Sequence, residues 1–131
     1  MMARLTLALA LVALLAGGCA ARWRPAKRLR IPAAAGSPAQ SYTRMIARAR
    51  ALHYHVRDQD PARRRFVVRA QLDEDFATAP EWSRSRASLF HVQVEPDGSA
   101  WIWATGHHVR EDRMHRKLRR EMERLATELQ E

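Results

Sequence analysis

The sequence predicts an α+β fold: a helix, a four-stranded antiparallel sheet made of two hairpins, and a C-terminal helix, with both helices on one face of the sheet. Three observations carry that expectation. Apolar residues recur at helical spacing around Met45 and again beyond Glu111; between these stretches they alternate with polar ones; and Pro- or Gly-containing turns separate the alternating runs.

The first helix is expected from Ser41, acting as its N-terminal cap, to about Leu52. Met45, Ile46, Ala49 and Leu52 then share one face, while Arg44, Arg48 and Arg50 point to water. From Leu52 the period becomes two, with Leu52, Tyr54 and Val56 opposed to His53, His55 and Arg57. After the break at Asp60-Pro61, Phe66, Val68, Ala70 and Leu72 alternate with Val67, Arg69 and Gln71, which completes a first hairpin. Asp73 to Ala87 is a long connection carrying Phe76, Pro80 and Trp82. Ser88 to Val94 and Ala100 to Thr105 form a second hairpin. The last helix, Glu111 to Leu129, sets Met114, Leu118, Met122, Leu125 and Leu129 in one stripe.

The turn of the second hairpin decides which side chains face outward. Pro96-Asp97-Gly98 suits a type I turn followed by Gly in a left-handed bulge. A loop of that kind pairs Val94 with Ala100, Gln93 with Trp101, Val92 with Ile102, His91 with Trp103 and Phe90 with Ala104. Phe90, Val92, Val94, Ala100, Ile102 and Ala104 would then meet the helices. Leu89, His91, Gln93, Trp101, Trp103 and Thr105 would occupy the other face, where Trp101, Trp103, His91 and Gln93 make a candidate binding surface. A two-residue Asp97-Gly98 loop would instead shift the register by one and bury both indoles.

The chain has 131 residues, a formal charge of +9, a single cysteine, and charged residues making up 28% of its length. One modest core is the most such a length supports, and one cysteine excludes a disulfide framework or a multi-cysteine zinc site.

The amino end reads as an export signal. Arg4 precedes the run Leu5 to Ala16, apolar apart from Thr6, and Gly17-Gly18-Cys19 follows. As a helix these residues would cover roughly 18 Å, short of the roughly 30 Å hydrocarbon layer. Leu15-Ala16-Gly17-Gly18-Cys19 resembles the lipobox of bacterial lipoproteins, departing from it in Ala16, where leucine is commonest. The resemblance covers only about the first 20 residues. It implies that the signal, residues 1–18, is cut away, and that Cys19 receives diacylglycerol on sulfur and a further acyl chain, such as palmitate, on its amino group. Ala20 differs from the aspartate that marks inner-membrane retention, so the resemblance implies an outer-membrane anchor on the periplasmic side, with the inner membrane as the alternative.

Cleavage would leave residues 19–40 as a basic, Ala- and Pro-rich tether and residues 41–131 as the folded domain. Arg22, Arg24, Lys27, Arg28 and Arg30 surround Trp23 in that tether. The same cations support an opposite topology, because positive charge favours the cytoplasmic side.

No catalytic constellation is legible, and neither an enzyme nor a cofactor is expected. His53, His55 and His91 are weak metal-ligand candidates, provided that the strands bring them together. His107-His108 sits at a strand end, and Asp73-Glu74-Asp75 lacks the spacing of a calcium loop. The expected role is a non-catalytic binding or scaffolding module of the cell envelope, anchored in the membrane through Cys19, whose partner is an anionic envelope lipid or an envelope protein. The competing expectation is a cytoplasmic, membrane-tethered domain that binds nucleic acid or an acidic partner through Arg63, Arg64, Arg65, Arg69 and the tryptophans.

Overall fold

The structure, a computed structural model, is described for residues 23–72, 88–106, 108–110 and 112–131. Cys19, the signal, the connection 73–87 with Phe76 and Trp82, His107 and Glu111 lie outside the described residues.

The α+β class holds. In chain order the elements are β1 (Trp23–Pro25), β2 (Leu29–Ile31), α1 (Pro38–Ala51), β3 (Val56–Asp60), β4 (Arg65–Arg69), β5 (Leu89–Val94), β6 (Ala100–Thr105), β7 (Val109–Arg110), β8 (Arg113–His115) and α2 (Arg116–Glu128). The main sheet has five strands rather than the expected four, in the order β2-β6-β5-β4-β3, and a small second sheet has the order β1-β8-β7. Every described pairing is antiparallel.

The additional strands come from residues expected in the tether and in the last helix. Leu29 pairs with Ile102 and Ile31 with Ala100, so β2 extends the second hairpin outward. Ile31 is fully buried. Trp23 pairs with His115 and Pro25 with Arg113, which ties the start of the described chain to the entry of α2. Residues 23–31, expected in the tether ahead of a domain starting near Ser41, therefore already take part in sheet pairing.

Both helix starts also differ from expectation. The cap of α1 is Ser37, whose hydroxyl accepts the Gln40 N–H at 3.2 Å while the Gln40 side chain accepts the Ser37 N–H at 2.9 Å. Pro38 stands at the first helical position, where its missing N–H would have had no partner in any case. Ser41 is fully buried one turn inside. The α2 helix starts at Arg116, with His115 Nδ1 accepting the Lys117 N–H at 3.2 Å, because the residues before it are held in the β7–β8 hairpin.

At its other end α1 stops in a Schellman motif. His53 N–H bonds Arg50 C=O at 2.9 Å, and Tyr54 N–H bonds Ala49 C=O at 3.0 Å, with His53 in the left-handed region at φ 66°. Tyr54 thereby turns back into the core. Burial raises the pKa of its phenol, and nearby Glu121 adds to the effect.

The second hairpin adopts the register of the three-residue loop, from Leu89 opposite Thr105 to Val94 opposite Ala100. Gly98 takes the left-handed φ of 87°, and the Glu95 N–H bonds Ser99 C=O at 2.7 Å. Phe90, Val92, Val94, Ala100, Ile102 and Ala104 join Met45, Ala49, Leu118, Met122 and Leu125 in one core cluster. Helix α1 lies over β3 to β5 and α2 over β2 and β6, so both helices cover the same face.

Candidate functional site

The opposite face of the five-stranded sheet is organised in rows by the register. One row reads Arg30, Trp101, Gln93, Arg65 and, at the β3 edge, Asp60. The next reads Trp103, His91, Val67 and Arg57, and a third Thr105, Leu89 and Arg69. Opposed residues share a face, so these side chains form one surface. Trp101, Trp103, His91 and Gln93, the four residues expected there, are all partly buried.

Cations cover the indoles. Above the Trp103 ring lie the Arg28 guanidinium, 4.9 Å from its centroid, and that of Arg65, at 5.1 Å. Arg30 lies 5.8 Å from the Trp101 centroid. The attraction between a cation and the ring quadrupole holds each guanidinium against an apolar surface while its N–H edge stays available. Arg30 is fixed further at its tip: its Nη2 donates to Asp97 Oδ2 at 3.2 Å and to Ser99 Oγ at 3.3 Å. The Asp97 carboxylate also accepts the Ser99 hydroxyl and the Ser99 N–H, which together lower its pKa.

His91 stacks on Trp103 with centroids 5.2 Å apart and planes 9° from parallel, and its Nε2 is 2.8 Å from Thr105 Oγ1. Burial lowers its pKa, Arg65 lowers it further, and Asp58 opposes both. Imidazole in this position is neutral at pH 7 and adds no charge to the guanidinium cluster. The Nε atoms of Arg65 and Arg69 are buried without a hydrogen-bond partner. Desolvated donors of that kind cost about 1–3 kcal/mol each, which an oxyanion close enough to accept from them would offset.

The three histidines named as metal-ligand candidates are not brought together. His53 is an exposed residue of the helix-terminating turn, His55 is exposed just before β3, and His91 is stacked on an indole in the middle of the sheet. The expectation that His53 and His55 share a strand face fails because α1 continues to Ala51 and its Schellman ending uses His53. Among the described residues no group of three His, Cys, Asp or Glu could hold a metal ion.

The chain matches no known family model, and no curated protein matches it.

Two features, one on each face of the sheet, are not evident from the sequence. Composition places Arg28 and Arg30 in the tether, although Arg28-Leu29-Arg30-Ile31 itself alternates with the period of a strand. On the helix side, buried Glu121 accepts the N–H groups of Gln71 at 3.1 Å and Leu72 at 2.7 Å, one with each carboxylate oxygen. A glutamate within a charged helix face gives no local sign of that role.

Proposed function

We propose that the protein is a non-catalytic binding module of the cell envelope, lipid-anchored through Cys19, and that its open sheet face takes an anionic partner. The observation that carries the binding half is the guanidinium and indole surface: Arg28, Arg30 and Arg65 held over Trp101 and Trp103, with Arg69 on the same face. Stacking fixes the guanidinium planes in advance, so a bound carboxylate or phosphate meets donors that have already lost much of their side-chain freedom. The anchor half rests on the lipobox resemblance around Cys19 and its outer-membrane destination. Among the described residues no helix is long and apolar enough to cross a membrane.

A second reading keeps the same surface and changes the partner. Aromatic and basic side chains on an open antiparallel sheet are also how single-stranded nucleic acid is held. Here the guanidiniums already occupy ring faces on which bases would stack, which favours the anion reading.

Two measurements test the proposal. Radiolabelled palmitate fed to the producing cells should enter the wild type and not Cys19→Ala; labelling that persists in the variant overturns the anchor. Iodide should quench the fluorescence of Trp101 and Trp103 more strongly than caesium does, because the guanidiniums gather anions around them. Equal quenching by the two ions overturns an anion-collecting face. Saturable binding of a thymidine oligonucleotide, abolished by Trp101→Ala, would install the nucleic-acid reading in its place.

A further inference from the structure

A second basic site lies away from the open sheet face, where the β1–β2 connection meets the start of α2. It is a cavity of about 430 Å³ lined by Arg24, Lys27, Arg116, Arg119 and Arg120, with Glu123 and Pro25 completing the wall. Arg119 is committed to structure: its Nε donates to Glu123 Oε1 at 2.8 Å, and its Nη1 donates to the carbonyls of Pro25 and Lys27 at 3.0 Å each. Those bonds hold the connection against the helix and use the Glu123 carboxylate that lines the cavity.

Among the described residues, Arg24, Lys27, Arg116 and Arg120 find no side-chain hydrogen-bond or ion-pair partner. Four unpaired cations around one concavity repel one another, and the first turn of α2 contains no acidic residue to relieve them. A bound anion supplies the missing charge.

We infer that this cavity receives the phosphate of an anionic lipid headgroup in the membrane that carries the anchor. Chain length places it there. Four residues separate Cys19 from Arg24, and a fully extended chain reaches at most about 3.6 Å per residue. If Cys19 is acylated, Arg24 lies within roughly 18 Å of it along the chain, at the height of the headgroup layer. The location therefore rests on the anchor reading, whereas the anion chemistry rests on the cavity alone.

The test separates the two. Full-length protein in non-ionic detergent is titrated calorimetrically with dihexanoyl phosphatidylglycerol, dihexanoyl phosphatidylcholine and inorganic phosphate. The expected result is saturable binding of phosphatidylglycerol, roughly tenfold or more tighter than phosphatidylcholine, whose choline meets the same cations. Arg116→Gln combined with Arg120→Gln should weaken phosphatidylglycerol by roughly tenfold or more, and Lys27→Gln alone should weaken it to a lesser degree. Removal of a cation elsewhere, in Arg50→Gln, should change nothing. Both Arg116 and Arg120 are exposed, and circular dichroism checks that the variants fold.

Inorganic phosphate binding as tightly as phosphatidylglycerol would overturn the lipid assignment in favour of a free-phosphate site. Absence of saturable binding, or equal binding by the variants, overturns the site. Because these ligands are short-chain and soluble, Cys19→Ala should bind them unchanged. Failed lipid labelling with successful titration removes the anchor and keeps the cavity; the reverse outcome removes the cavity and keeps the anchor.

Discussion

Along β5 and β6 the six residues that face the helices are apolar and at most 8% exposed, whereas their neighbours Leu89, His91, Gln93, Trp101 and Trp103 are partly exposed under arginine side chains. The same two strands therefore build two kinds of surface. On the helix side, volume alone is needed, and Phe90, Val92 and Ile102 supply it. On the other side, large indoles remain at the surface because guanidiniums lie over them and keep their charged heads in water. Apolar area on one face stabilises the fold; apolar area on the other positions charge.

Core and surface truncations measure that difference directly. Phe90 is fully buried, and Phe90→Ala should lower the unfolding free energy by about 3–5 kcal/mol in urea titrations. Trp103→Ala should lower it by only about 1–2 kcal/mol, because it removes guanidinium and imidazole contacts rather than core packing. Equal losses would make the open face a second core and break the comparison.

Glu121, a charged group buried on the helix side, sharpens it. Glu121→Gln leaves one carboxamide oxygen where two carboxylate oxygens accepted the Gln71 and Leu72 N–H groups. The expected loss is about 1–3 kcal/mol in the same titration, with faster amide exchange at Gln71 and Leu72. An unchanged stability would show that those two donors are satisfied without it.

How much of this was legible follows the range of the forces involved. The β5–β6 register was readable because Pro96-Asp97-Gly98 settles it within one turn, and the stripe from Leu118 to Leu129 was readable because helical packing repeats locally, whereas Met114, expected in the same stripe, lies on β8. Strands β1 and β2 were not. Each is three residues long and exists through pairing with residues far along the chain, Trp23 with His115 and Leu29 with Ile102. The start of α1 was legible in principle, since Ser37-Pro38 followed by Gln40 is a capping box, but the surrounding Ala and Pro residues read as a tether. Of the open face, the four residues on β5 and β6 were readable from parity. Arg28 and Arg30 were not, because their place depends on β2 joining the sheet.

His53 tests the region where parity misled. It holds a left-handed φ of 66° that glycine adopts without steric penalty, so His53→Gly should raise stability by about 0.5–1 kcal/mol, less whatever is lost to the freer unfolded chain. A loss of stability would mean that the imidazole makes a contact of its own and that the turn is more than a helix ending.

The smallest expected effect is a titration that links the open face to its charge. The folded pKa of His91 lies below the ordinary histidine value of 6.5, chiefly through burial, then through Arg65, with Asp58 opposing. The unfolded chain therefore takes up this proton first as pH falls. Stability due to the neutral ring is complete above 6.5, declines as pH drops from there to the folded pKa, and is flat below it. Trp103 lies 5.2 Å from the imidazole and reports the event, since a protonated imidazole stacked on an indole quenches its fluorescence. A fluorescence midpoint below 6.5, absent in His91→Gln, is expected. Addition of an anion that binds the face should move that midpoint upward, because each stabilises the charged ring, and reciprocity then requires tighter anion binding at lower pH. A midpoint above 6.5 without added anion would mean that the Asp58 carboxylate outweighs burial and Arg65 together at this ring, and the charged half of the comparison would fall with it.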